Sequence, residues 1–240
     1  MLGMGLTAMS GNIKNAFTIT DVSDLEFWYQ RNVGVTTAKW TDSSGNDNHS
    51  IQQTESNKAT VTVDGGLDFE KDNNHHYDFT NIAIANNQGF AMGLVATLET
   101  VANASIFSDS ANEFIRITNG RTFSVGTNGG EENLVTNIVT PANTYNAGQK
   151  VAVLVNRKSG SNGGFTIFVN GVRLVIDTDL SALEANGENT KGFTIDTLGT
   201  TNASTNPFDG TMHEVVFFSK GLDNEEIADV NSYLKNNNGL

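Results

Sequence analysis

Two short stretches constrain the fold more than any other part of the chain. "EFIRITNGRTFSV" over 113–125 and "FTIFVNGVRLVI" over 165–176 each place Asn-Gly between two runs of β-branched and aromatic residues. Asn and Gly both tolerate positive φ, and the two-residue type I′ turn needs it at both central positions. Each stretch therefore predicts an antiparallel hairpin with the turn at Asn-Gly. "RKSGSNGG" (157–164) links the second hairpin to "VAVLVN" (151–156), so 151–176 reads as a three-stranded meander. Within "FTIFV", Phe165, Ile167 and Val169 share one face, and Phe168 lies on the other. Both faces of that strand are expected to be covered.

The same grammar recurs along the chain. "LEFWY" (25–29), "ATVTV" (59–63), "LDF" (67–69), "FAMGLVATLE" (90–99), "ASIFS" (104–108), "FTIDT" (193–197) and "HEVVFF" (213–218) are short, β-branched or aromatic, and bounded by turn residues. With 24 Gly and only 2 Pro, the turns must be built from Gly, Asn, Asp and Ser. A length of 240 residues suits one all-β sandwich and is ample to bury a core.

Helices are few. "DLSALEANG" (179–187) predicts a short one closed by Gly187. "LDNEEIADVNSYL" (222–234) predicts a better one. There Asp223 is placed to cap the free N–H groups, with Glu226 completing a capping box and Leu222 and Ile227 forming a staple. Ile227, Val230 and Leu234 then make one apolar stripe. The fold class expected is all-β: an antiparallel sandwich or jelly roll with one short C-terminal helix.

The formal charge is −13, from 27 acidic and 14 basic residues, which excludes a nucleic-acid backbone as partner because that needs clustered Lys and Arg. The absence of Cys removes disulfides, thiol catalysis and Cys-based zinc sites. The opening "MLGMGLTAMSGNIKNAF" is too polar and glycine-rich to read as a signal peptide, and no apolar run approaches a membrane span. The sequons at Asn48, Asn103 and Asn202 then read as chance products of an Asn-rich chain. Residues 1–20 read as an N-terminal arm that anchors against a neighbour, and 21–240 as the domain.

"FDGTMHEVVFFSKGLDNEEIADVNSYL" (208–234) resembles the closing segment of concanavalin A-like, laminin-G-like jelly-roll domains. Upstream, "FTITDVSDLEFWYQ", "KWTDSSGNDNHSIQQ" and "GGLDFEKDNNHHYDF" occur in that family's order, and the block from Trp40 to His49 is the most distinctive piece. The resemblance spans about 17–235. It departs where the family often carries an Asp-rich "LDA" stretch. Here "YQRNVGV" follows Trp28, so a cation ligand at that place is missing. The fold carries lectins, enzymes, adhesins and structural modules alike. The glycine-rich start, "MLGMGLTAMSGNIKNAFTITDVSDL", resembles structural proteins of bacteriophage particles. That resemblance implies a virion surface protein: a head decoration, fibre or tail accessory subunit. Its expected partners are other virion proteins and copies of itself, with host-surface glycans contacted and no membrane inserted. The rival is a stand-alone lectin or carbohydrate-binding module.

Hydrolases of this fold use paired carboxylates on one strand, Glu-x-Asp-x-x-Glu, and that spacing is absent. Glu131 and Glu132 sit in a Gly-rich loop, His75 and His76 are adjacent and point apart, and His49 and His213 are isolated. No enzymatic activity is expected. Asp42, Asn46, Asp47 and Asn48 put four oxygen-bearing side chains within seven residues. Two readings stand: a calcium site, to which Asp209 of "FDG" would contribute, or a stack of Asx turns bonding their own backbone. A glycan platform needs aromatic faces. Trp28, Trp40, Tyr77 and Tyr145 are the expected ones, with Tyr29 beside them, against the alternative of core packing.

Overall fold

The computed structural model describes residues 17–99, 103–110, 112–127, 136–160, 164–176, 191–200 and 205–240. The predicted helix over 179–187 and the Gly-rich loop with Glu131 and Glu132 lie outside them.

Two antiparallel sheets stack face to face. The first contains β14 (Val172–Arg173), β13 (Phe165–Val169), β12 (Gln149–Arg157), β7 (Phe90–Leu98), β16 (Gly210–Phe218), β5 (Leu67–Phe69) and β4 (Thr60–Val61), in that order. The eighth strand, β1 (Leu25–Tyr29), pairs with the half of β16 that β5 leaves free. The second sheet runs β11 (Thr136–Val139), β10 (Thr122–Thr127), β9 (Phe114–Thr118), β8 (Ala104–Ser108), β15 (Phe193–Leu198), β6 (Tyr77–Ile84), β3 (Ser50–Ile51) and β2 (Lys39–Trp40).

The two Asn-Gly turns behave differently. Val169 pairs with Val172, and Asn170 and Gly171 take φ of 51° and 77°, as a type I′ turn requires. In the other hairpin Thr118 pairs with Thr122, so the loop has three residues. Positive φ falls on Gly120 and Arg121, not Asn119. The two-residue turn expected at Asn119-Gly120 is thereby corrected. β14 also leaves regular pairing after Arg173, although the Leu174 N–H still donates to the Ile167 carbonyl.

Alternation fills the space between the sheets. Phe90, Met92, Leu94 and Leu98 of β7 enter it, with Val151, Val153 and Val155 of β12 and Phe27 of β1. The Phe27 ring stacks on Tyr29 at 4.6 Å and meets Phe79 at 5.2 Å, tying the first sheet to the second. The first sheet also buries its outer face, which explains why β7 reads as a continuous apolar run. Ala91, Val95, Leu154, Val216 and Phe218 face outward there under a helix, α1 (Asn224–Asn237).

The helix starts as the sequence predicts. Asp223 Oδ1 accepts the Glu225 and Glu226 N–H groups at 2.9 Å, and Glu226 Oε2 accepts the Asp223 N–H at 3.0 Å. Ile227, Val230 and Leu234 are buried against the sheet, and each such burial contributes about 1.5–3 kcal/mol. The sheet makes room for them at Gly93: a Cβ there would lie 2.8 Å from Leu234 Cδ1 and 2.6 Å from Val216 Cγ1. Ile19 and Val22 join this second core and Phe17 packs on it. The last residues of the expected 1–20 arm thus pack on the domain that follows them. Residues 1–16 lie outside the described residues.

Candidate functional site

The four aromatics expected to form a glycan platform are all interior. Trp28 lies under α1, its ring 5.8 Å from Tyr233 and its Nε1–H donating to Glu214 Oε1. Trp40 is fully buried, stacks against Tyr29 at 5.7 Å, and donates to the Gln30 carbonyl. The Tyr77 hydroxyl donates to the Thr37 carbonyl and accepts the Ala59 N–H, and burial pushes its pKa up to about 12. Tyr145 packs 5.7 Å from Phe123, and burial raises it to about 12 as well. None of them offers a free ring face. The sequence pattern supplied aromatic residues, and packing consumed them.

The 42–48 loop is a turn stack. Asp42 Oδ1 accepts the backbone N–H groups of Trp28 and Ser44, both at 2.8 Å. Its Oδ2 accepts the Ser44 hydroxyl at 2.7 Å and the Asn48 N–H at 3.0 Å. The Nδ2 groups of Asn46 and Asn48 turn toward the carbonyls of Leu25 and Glu26. Asp47 is exposed, with φ of 58°. These residues do not fit a calcium ion, because the one buried carboxylate is spent on its own loop and on the Trp28 N–H of β1. Asp209 cannot join them. It precedes β16 and holds Lys71 Nζ at 3.1 Å, whereas Trp28 pairs with Val216 seven positions on, about 23 Å along the strand.

What this loop does build is one wall of a groove. The ring of His49 accepts the Asp42 N–H at Nδ1, 3.1 Å away, which leaves the proton on Nε2. Nε2 has no hydrogen-bond partner among the described residues. Ile51 of β3 pairs with Asp78 of β6 through a single bridge, so loop 47–54 and the start of β6 lie side by side. The resulting groove measures about 590 Å³ and is lined by Asp47, His49, Ile51, Gln53, Asp78 and Thr80 among others. Ile51 is 42% exposed and gives the groove an apolar patch. Gln52 does not contribute, since its amide is spent on the His76 carbonyl and the Thr54 N–H. The side chains of Gln53, Asp78 and Thr80 make no hydrogen bonds among the described residues. Burial raises the Asp78 pKa, His76 pulls it down and Asp196 pushes it up. A patch of apolar surface flanked by unspent donors and acceptors suits a ligand rich in hydroxyls.

A second cavity of about 480 Å³ opens between Asn86, Gly192 and Thr194, with Asp109 and Glu113 on its wall. The Glu113 pKa is raised by burial and by the Asp109 carboxylate, while a bond to the Thr194 backbone lowers it. Sequence reasoning missed this pair because its members flank the turn between β8 and β9, whereas the spacing sought was along one strand.

A family model for the concanavalin A-like lectin/glucanases superfamily matches residues 71–228, about two-thirds of the chain. No curated protein matches it in sequence. Among solved structures, the binding domain of Paraclostridial Mosquitocidal Protein 1 superposes with a TM-score of 0.59 at 12% identity, covering 91% of this chain and 54% of that one. The binding domain of Botulinum neurotoxin DC, solved with rat synaptotagmin II, gives 0.53 at 14% identity, covering 90% and 52%. The chain thus spans about half the length of these two. Domain 4 of AbnA, a GH43 extracellular arabinanase from Geobacillus stearothermophilus solved with arabinotriose, gives 0.52 at 14% identity, covering 87% and 98%. At these identities the likeness is one of fold. Sheet order, core and family match agree, and the chain belongs to the concanavalin A-like lectin/glucanase superfamily.

Proposed function

We propose that this protein is a non-catalytic carbohydrate-binding domain that takes a hydroxyl-rich glycan in the groove beside β3 and β6. The observation that carries the reading is the set of unspent polar groups around Ile51: the Asp78 carboxylate, the Thr80 hydroxyl, the Gln53 amide and the His49 Nε2–H. Paired sugar hydroxyls match such groups, and an exposed aliphatic side chain covers the C–H face of a ring. The arabinanase domain solved with arabinotriose lends support as a related fold that holds a sugar.

The virion-surface reading draws no support from the family match or the structural neighbours. Its carrier is the stretch 1–25, of which residues 1–16 lie outside the described residues and 17–25 pack as part of the domain. The glycan contact expected in both sequence readings is the part retained.

The test is retention of the full chain on a panel of immobilised oligosaccharides. At least one should be held, and Asp78→Ala with Thr80→Ala should weaken it about tenfold while the melting temperature stays within a few degrees. Retention of no member, or unchanged retention by the double variant, overturns the reading.

A further inference from the structure

In a chain with 27 acidic and 14 basic residues, cations should end beside oxygen. Lys71 meets Asp209, Lys220 meets Glu226, Arg31 donates to the Asn237 carbonyl, and Arg157 donates to two carbonyls. Arg116 does not follow them. Ile115 and Ile117 of β9 enter the core, so Phe114 and Arg116 project from the outer face of the second sheet. The guanidinium carbon lies 3.8 Å from the centroid of the Phe114 ring. No hydrogen bond or ion pair reaches the guanidinium among the described residues. Its Nε is closed off from solvent without a partner, although Arg116 as a whole is only half-buried. Burial lowers the pKa of the group. In register on the neighbouring strands stand Ser105 and Ser124, both fully buried, and the Ser105 hydroxyl has no partner.

A cation partly stripped of water, held over a ring and left without an anion among the described residues is costly unless something completes it. We infer that Arg116 is an anion subsite that takes the carboxylate of an acidic sugar through its two Nη–H groups. A planar fork of donors matches a planar carboxylate, and the Phe114 ring 3.8 Å from the guanidinium carbon restricts how that fork can turn. The sugar half of the inference rests on the glycan-binding reading. Ile51, Asp78, Thr197, Ser108 and Phe114 are successive cross-strand partners, so the groove and Arg116 share one sheet face about 19 Å apart. The groove carries Asp47 and Asp78 and repels a carboxylate, which leaves Arg116 to read the acidic residue.

The experiment follows the Arg Nε–Hε signals of the ¹⁵N-labelled full chain during titration with methyl β-D-glucuronide, methyl β-D-glucoside and sodium acetate. The Arg116 signal should move saturably with the glucuronide alone. Arg116→Lys should weaken that binding at least fivefold and Arg116→Gln should abolish it. The apo melting temperature of Arg116→Gln should equal or exceed that of the parent, because the variant loses an unpaired cation. A signal that stays still, or moves equally with glucoside, overturns the subsite even if the panel shows neutral glycans bound in the groove. Acetate binding as tight as glucuronide overturns the sugar half and leaves a bare carboxylate site. A lower melting temperature with unchanged glucuronide affinity assigns Arg116 to packing and overturns the inference.

Discussion

The indole Nε1–H of Trp28 donates to Glu214 Oε1 at 2.8 Å, joining β1 to β16 across 186 positions of sequence. Glu214 is fully buried, and its other oxygen accepts from Asn238 Nδ2 at 2.7 Å, just past the end of α1. A carboxylate in that position is stable only while its donors stay in place. Trp28→Phe keeps most of the apolar contact and removes one donor. It should cost about 2–3 kcal/mol in urea unfolding. Glycan retention at saturation should not change, since the ring is interior. A loss of retention without a loss of stability would return Trp28 to the binding surface.

Arg157 closes the far end of the sandwich by another route. Its guanidinium sits over Phe90 at 5.1 Å and near Phe165 and Phe193, and it donates to the Gln88 and Lys191 carbonyls. Burial lowers its pKa to about 10. Arg157→Met should cost about 3 kcal/mol, because the carbonyls of half-buried Gln88 and Lys191 lose this donor and the packing on three Phe rings changes. Arg157→Lys should not restore it, since an ammonium lacks the planar fork. Full rescue by Lys would show that charge alone matters there.

His213 makes stability depend on pH. Its Nδ1 lies 3.0 Å from Asp64 Oδ2 and its Nε2 2.9 Å from Thr97 Oγ1. Burial first, then Lys150, lowers its pKa to about 4, against a partial pull upward from Asp64. Between pH 6.5 and 4 the unfolded chain binds a proton here that the folded chain refuses. Stability from this group is therefore complete above about pH 6.5 and falls as pH drops toward 4, by roughly 3 kcal/mol. Urea midpoints of the parent and His213→Gln between pH 7 and 4 check it. The variant should show the shallower decline, and parallel curves would remove His213 from the account.

Asp42 is a folding residue on this geometry. Asp42→Ala strips three hydrogen bonds from its loop and a fourth that ties the loop to Trp28 of β1, and should cost about 3 kcal/mol. Millimolar calcium added to chelator-treated protein should leave the melting temperature of parent and variant alike. A rise in the parent that vanishes in the variant would restore the metal reading.

Much of the frame was legible because its signals are local. The Asn170-Gly171 turn, the Asp223 cap and the Ile227–Val230–Leu234 stripe each lie within a few residues, and each formed as expected. β6 carries no clean alternation by which the sequence announces a strand. Its register slips against β15 between Ile195 and Thr197, so Thr80 and Asn81 are exposed in succession and the period of two breaks. The roles of the aromatics were hidden for a different reason. Alternation tells that Trp28 and Phe27 face opposite ways, but the cover over Trp28 is a helix beginning nearly 200 residues later. The groove depends on the bridge between Ile51 and Asp78, and no local pattern announces a contact of that span.

The helix also decides which way the molecule can look. It occupies the outer face of one sheet, while the groove opens on the outer face of the other and half-buried Arg116 projects from that same face, so the sandwich has a back and a front. A bead, fusion partner or lattice joined through the α1 side holds the front toward solvent. The same attachment through β6 or β9 blinds it. Orientation on a surface is thus built into the fold, and coupling chemistry directed at Lys235 on α1 should preserve binding that coupling at an engineered Thr80→Cys abolishes.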